Sequence, residues 1–182
     1  MINEMTNTSE AEPPLPKDVQ TVRARLAQVK LLALDVDGIL TDGGLYYTES
    51  GEELKKFNVK DGMGLKLLMK SGVKVAIISA SKSTATIHRG KKLGIEDVFI
   101  GIEDKLSVLK QLCQQLNFSL TEVAYAGDDI NDLSIMKAIG CPLTVADAMP
   151  QNQAQAIYVT RLGGGKGAVR EICNYIMAVQ KS

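Results

Sequence analysis

The stretch Leu31-Leu32-Ala33-Leu34-Asp35-Val36-Asp37-Gly38-Ile39-Leu40-Thr41-Asp42 is an apolar run that stops at two aspartates one residue apart, followed by glycine and threonine. Such a run, bounded by glycine and polar residues, predicts a buried strand. A strand of this kind belongs to a parallel sheet covered by helices on both faces. Carboxylates at its end are costly unless a counter-charge offsets their burial. A hard cation such as Mg²⁺ meets that need, because it prefers carboxylate oxygen and keeps room for a phosphate. The chain is leaving the strand here, so Asp35 and Asp37 can face one crevice, at the carboxyl ends where α/β sheets place ligands. Taken alone, Asp-x-Asp-Gly is equally good turn chemistry. The rest of the chain decides between the two.

Asp18 predicts a helix cap, with Val19, Val22, Leu26 and Val29 on one helical face. After Thr41, two β-prone runs flank Ser50-Gly51 and predict a hairpin over about residues 43–57, whose exposed aromatics suit either sheet surface or a subunit contact. Residues Asn58 to Gly62 read as a polar loop, with Asp61 capping a helix from Met63 to Ser71 that Gly72 closes. Val73 to Ile78 predicts a second buried strand, ending at Ser79-Ala80-Ser81. A helix over 83–93 follows, closed by Gly94, then a strand over 97–100 and a helix over 104–116. Lys105 in that last helix's first turn opposes the helix dipole, which suggests a task for it. Val123 to Ala126 leads into Gly127-Asp128-Asp129, a helix over 131–139, strands at 141–145 and 158–159, a flexible loop over 163–167 and a final helix over 168–179. The alternation of strand and helix implies an α/β, doubly wound parallel sheet with right-handed crossovers.

The chain has 182 residues and 45% apolar composition, enough for one domain, expected over 18–182 behind a disordered leader at 1–17. Formal net charge is zero, with no block of like charge, which argues against nucleic acid or a membrane surface as partner. Cys113, Cys141 and Cys173 are far apart and odd in number, so they fit neither a disulfide framework nor a zinc site. Buried thiols in a reducing cytoplasm are expected. The N-terminal stretch lacks a signal-peptide pattern, and no apolar run reaches about 18 residues.

Strand and helix ends thus carry Asp35 and Asp37, Ser79, Lys105, and Asp128 with Asp129 and Asp132. In a parallel sheet these ends share one edge. That order resembles the haloacid dehalogenase superfamily of phosphotransferases, from Asp35 through Thr41, Ser79, Lys105 and Gly127 through Asp132. The resemblance implies Asp35 as a nucleophile forming an aspartyl phosphate and Asp37 as acid, then base. It implies Mg²⁺ as cofactor on the Asp35 and Asp128 carboxylates and the Asp37 carbonyl. Ser79 and Lys105 would hold the phosphoryl group, with Asp129 and Asp132 behind them orienting Lys105 or metal-bound water. Neither gap between motifs holds a cap domain, so a large substrate or another subunit must shield the site.

A closer resemblance, carried by Phe57 to Gly62, the hairpin, Gly127 to Asp129 and Gly164 to Glu171, is to the 3-deoxy-D-manno-octulosonate 8-phosphate phosphatase family. It implies a capless homotetramer assembled through hairpins, with a neighbour's hairpin and Gly-rich C-terminal tail, here from about 163, closing the site. It also implies substrate contacts from Asn58, Val59, Lys60, Asp61, Gly62, Lys66, Arg89, Asp37 and Lys105, suited to a sugar acid phosphate. This sequence departs from the family at Ala80-Ser81, where Gly-Arg is common, which leaves Ser81 as the candidate contact. Lys60 and Lys66 stand where arginines are common, and lysines are point charges rather than forks. A nonulosonate 9-phosphate is therefore an alternative substrate. His88 reads as a helix-surface residue. A signalling receiver domain would place its phosphoacceptor on a middle strand, and a non-catalytic relative would not need Asp35, Asp37, Lys105 and Asp128 together.

Overall fold

The structure, a computed structural model, describes residues 18–181. The leader expected at 1–17 lies outside the described residues. A six-stranded parallel sheet runs in the order β5-β4-β1-β6-β7-β8. Its strands are β1 (Leu31–Leu34), β4 (Lys74–Ile78), β5 (Asp97–Phe99), β6 (Val123–Ala126), β7 (Cys141–Thr144) and β8 (Tyr158–Val159). β1 lies in the middle, level with Ile77 of β4 at Leu34 and with Ala126 of β6. Side-chain alternation divides the sheet into two cores. Leu32, Leu34, Val75 and Ile77 face α1 (Val19–Ala27), α2 (Val59–Lys70) and α7 (Ala168–Gln180). Leu31, Ala33, Ala76, Ile78 and Tyr125 face α4 (Lys105–Leu116) and α5 (Leu133–Ala138). A further helix, α3 (Ala85–Leu93), links β4 to β5. The doubly wound α/β expectation holds.

The expected hairpin is present as β2 (Tyr46–Tyr47) paired antiparallel with β3 (Glu53–Leu54). Among the described residues no cap domain interrupts the sheet.

Three expectations need correction. Residues Val59 to Gly62 are the first turn of α2, not a loop, and Asn58 rather than Asp61 caps it, its side chain accepting from the Lys60 amide. Asp61 is buried and accepts from the Arg170 amide at 2.8 Å, so it serves the start of α7, whose own cap residue is Gly167 without a side chain. Second, the stretch 163–167, expected as a flexible loop, is packed against the loop after β1. A Cβ on Gly164 would lie 1.8 Å from the Gly38 carbonyl oxygen. The Gly165 amide donates to the Ile39 carbonyl at 3.0 Å, and the helix that follows buries Val169, Ile172 and Ile176 in its own core. Third, α6 (Pro150–Gln155) was not anticipated.

Candidate active site

The strand ends bring the motif residues together because the ladders run on past the strands. The Asp35 amide donates to the Ala126 carbonyl at 3.0 Å, and the Ser79 amide to the Phe99 carbonyl at 2.9 Å. After Asp35 the chain folds tightly: the Leu40 and Thr41 amides both donate to the Val36 carbonyl, while Val36, Ile39 and Leu40 are buried. Gly38 makes the turn at φ +77°, and a Cβ there would come within 1.9 Å of an Asp128 carboxylate oxygen. Glycine is needed on both counts. Asp35, Asp37, Gly38, Gly43, Asp128, Asp129 and Asn131 line a cavity of about 230 Å³.

Lys105 is the hub. It is 2% exposed, and its ammonium lies 3.0 Å from Asp35 Oδ2 and 2.6 Å from Asp132 Oδ1. The same Asp132 oxygen accepts from the Tyr125 hydroxyl at 2.6 Å. Asp132 Oδ2 accepts from the Asp128 amide at 3.0 Å and the Asp129 amide at 3.4 Å. Burial works against the Lys105 ammonium, but Asp35 and Asp132 outweigh it and its pKa is raised. These two acids are the task that a lysine at a helix N-terminus implied.

Carboxylate oxygens of Asp35, Asp128 and Asp132 lie within 4.8 Å of one another. Asp132 is nonetheless unsuited to ligate, since both of its oxygens are already spent on donors. Asp35 and Asp128 are the carboxylates of the set that keep oxygens for a cation, Asp35 holding Lys105 through Oδ2. Burial, then the Asp132 charge, pushes Asp35 up to about 6 against the pull of Lys105. Burial, then Asp35, Asp132 and Asp129, pushes Asp128 up to about 7. Asp35 shares the Lys105 ammonium with Asp132, and among the described residues no cation pairs with Asp128, so the cluster carries excess negative charge. Hard oxygen donors in a cleft with excess negative charge fit a magnesium ion, and Asp37 lines the same cavity.

The sign of the pH effect follows. Both carboxyls titrate higher in the fold than the ordinary value near 3.9, so the unfolded chain releases its protons first. The metal-free fold therefore loses stability as pH rises from about 4 to about 7, and carries the full penalty above that. A bound cation removes the penalty. Millimolar Mg²⁺ is expected to raise the melting temperature more at pH 8 than at pH 5. Equal shifts at the two pH values, read by differential scanning fluorimetry, would refute metal binding at these carboxylates.

The other expected residues divide into two groups. Ser79 is buried at the end of β4, its hydroxyl accepting from the Ser81 amide at 3.2 Å, and Ser81 is half-buried beside it. Val59, Lys60 and Lys66 are exposed on α2. Asn58, Asp61, Gly62 and Arg89 are engaged inside the chain. The Asn58 amide donates to the Gly165 carbonyl at 3.0 Å. Arg89 donates to the Asn58 carbonyl at 2.9 Å and lies over the Phe57 ring. A Cβ on Gly62 would meet that guanidinium at 2.3 Å. Asp61 and Gly62 are buried beside Arg170 and Arg89, with Asp61 accepting from the Arg170 amide.

Sequence reasoning missed four residues at the site. Tyr125 passed as one more apolar residue of a buried strand, although a buried hydroxyl needs a partner. Asn131 lines the cavity. Asn152, on the unanticipated α6, is fully buried and donates to the Asp129 carbonyl at 2.8 Å. Its helix also places the Met149 amide on the Asp128 carbonyl at 2.9 Å. Pro150 at the first helical position was the available signal. Lys55, on the hairpin, reaches Asp37.

The profile of the haloacid dehalogenase-like hydrolases matches residues 101–171. A 3-deoxy-D-manno-octulosonate 8-phosphate phosphatase KdsC from Escherichia coli is 42% identical over 87% of this chain and 85% of its own length. This chain belongs to the KdsC family of haloacid dehalogenase-like phosphatases. The Yersinia pestis KdsC is 40% identical over 97% of this chain and 94% of its own. A crystal structure of the 3-deoxy-D-manno-octulosonate 8-phosphate phosphatase from Moraxella catarrhalis, in complex with magnesium, phosphate and KDO, superposes with a TM-score of 0.88 at 39% identity, covering 90% of this chain and 94% of that one. The KdsC relationship thus spans both the sheet and the site, well beyond the 101–171 match.

Proposed function

We propose that this chain is a Mg²⁺-dependent phosphatase that hydrolyses 3-deoxy-D-manno-octulosonate 8-phosphate to the sugar acid and phosphate. The observation that carries the reading is the gathering of the Asp35, Asp128 and Asp132 carboxylates at one rim of the sheet, with the Lys105 ammonium 3.0 Å from Asp35 and 2.6 Å from Asp132. In this reading Asp35 attacks phosphorus while the bond to the sugar oxygen breaks, and Asp37 gives its proton to the departing oxygen. Water then gives a proton to Asp37 and attacks phosphorus, which frees Asp35 and releases phosphate. Lys105 and Ser79 hold phosphoryl oxygens, where fixed donors matter most as charge shifts in the transition state. Asp35, Asp128 and the Asp37 carbonyl would hold Mg²⁺, which supplies charge neutralisation and orientation of the phosphoryl group.

Asp129 and Asp132 stand behind these groups, Asp132 setting the position of Lys105. Lys60 and Lys66, both exposed on α2, and Arg89 are the cations proposed for the sugar acid carboxylate, together with Ser81 near the cleft. The solvent-facing Leu45, Tyr46, Tyr47 and Leu54 of the hairpin support a homotetramer built through hairpins. Three free, buried cysteines support a reducing, cytoplasmic setting, and among the described residues no helix is long and apolar enough to cross a membrane.

The test is a panel of sugar acid phosphates compared by kcat/KM, with and without Mg²⁺, on protein whose mass in solution is measured by light scattering. The octulosonate 8-phosphate should lead the panel and lose its turnover with a chelator. A nonulosonate 9-phosphate in first place would move the substrate reading to that class, as Lys60, Lys66 and Ser81 leave room for. A monomer at assay concentration would remove the shared-site reading.

A further inference from the structure

The side chain of Lys55 is 2% exposed, unusual for a lysine without a paired role, and none of the roles above uses it. Lys55 directly follows β3, the second strand of the hairpin. Its ammonium stands between two carboxylates, 2.5 Å from Asp37 Oδ1 and 3.0 Å from Glu53 Oε1. Glu53 is held in turn by the Tyr47 hydroxyl, which donates at 3.4 Å across the hairpin. The next residue, Lys56, pairs with Asp42 at 2.5 Å. The hairpin therefore grips the loop after β1 at two points. The Lys56 pair is exposed and worth little energetically, whereas the Lys55 pair is enclosed and joins the hairpin to a residue of the cleft. The Asp37 side chain is 36% exposed. Among the described residues Lys55 is the donor to its Oδ1, and its Oδ2 has none.

We infer that Lys55 is a positioning residue for Asp37. It fastens one carboxylate oxygen to the hairpin, so that the other stays free for the proton exchanged with the departing alcohol and with water. This is the arrangement in which a proton-transferring group is oriented by a third residue. The inference rests on the roles proposed for Asp35 and Asp37. It also makes the hairpin part of the catalytic machinery of its own chain, beyond any contact with a neighbour.

The test exploits leaving-group chemistry. Breaking the bond to an alkyl alcohol needs a proton from Asp37, whereas a nitrophenolate departs without one. Positioned acid catalysis contributes about 10²–10⁴-fold, so its disturbance should be visible in the ratio of kcat/KM for a simple alkyl monophosphate to that for p-nitrophenyl phosphate. Neither substrate carries a carboxylate, so lost sugar acid binding does not enter the ratio. Lys55→Met is expected to lower the ratio by about tenfold or more, Lys55→Arg to restore most of it, and Asp37→Asn to lower it at least as far. A wild-type ratio in Lys55→Met beside a lowered ratio in Asp37→Asn would overturn the inference and leave Asp37 as the acid. An unchanged ratio in Asp37→Asn would overturn the reading of Asp37 itself. Should Lys55→Met fail to fold, Lys55→Gln, which keeps a polar group but no charge, is read by the same ratio.

Discussion

Asp35→Asn abolishes turnover, by about 10⁴-fold or more, and leaves the protein folded. An amide of the same shape fills the place of the carboxylate but has no anionic oxygen with which to attack phosphorus. Its stability should match or exceed that of the parent at pH 8, because the carboxylate it replaces is buried beside Asp132 and is pushed up to about 6. Lys105 keeps Asp132 as a partner in the variant. Two roles of Asp35 must be separated, since it would also ligate the cation. A residue that only held metal would be rescued by saturating Mg²⁺, whereas a nucleophile is not rescued at any concentration. The direct check is recovery, from acid-quenched parent protein, of a phosphorylated peptide that spans Asp35. Activity above a few per cent of the parent, or rescue by Mg²⁺, would remove Asp35 from the nucleophile's place.

The parts of this fold that were legible in the sequence are those where one local signal has one physical cause. Strands such as Leu31–Leu34 and Val123–Ala126 are covered on both faces, so they are continuous apolar runs. The acids at their ends stand out because such runs seldom stop on paired carboxylates. Helices such as Lys105–Leu116 and Ala168–Gln180 bury one face and show it by spacing. What stayed hidden depends on contacts far along the chain. Val59 to Gly62 reads as a loop because Asp and Gly disfavour helix locally, yet Arg89 packs over Gly62 and Asp61 reaches the start of the last helix. The Gly163 to Gly167 stretch looks flexible by composition, but there glycine serves close approach of backbone to the loop after Asp35. The segment Pro150–Gln155 is polar and short, so it has no amphipathic stripe; its purpose, holding the Asp128–Asp129 loop through Asn152, exists only in three dimensions. Lys55 could not be told from Lys56 by composition. They follow β3 directly, and only the structure shows that Lys55 reaches Asp37 in the cleft while Lys56 pairs with Asp42.

Lys105→Met tests the electrostatic core of the site, and it should damage stability and catalysis together. Methionine keeps much of the buried stem but removes the ammonium from between Asp35 and Asp132. Removing one partner of a buried ion pair costs about 3–5 kcal/mol, because the remaining charge is left unpaired. Here two carboxylates are left. Catalysis should fall by about 10²–10³-fold as a fixed donor to the phosphoryl group is lost. The pH dependence identifies the cause. The parent's Lys105 titrates above its ordinary value near 10.5, so its stabilising contribution is fully present, and constant, between pH 5 and pH 8. Without it, burial and the Asp132 charge push Asp35 up with no cation to oppose them, and the unfolded chain gives up its proton first. The penalty then sets in as pH rises above about 4 and is complete once Asp35 is ionised. The gap in melting temperature between parent and variant, measured without added metal, should therefore be wider at pH 8 than at pH 5. A gap that does not change with pH would mean that lost packing, rather than unpaired charge, accounts for the damage. Near-normal kcat in a folded Lys105→Met protein would show that phosphate is held by other groups, and the convergence of these side chains would then need a different explanation.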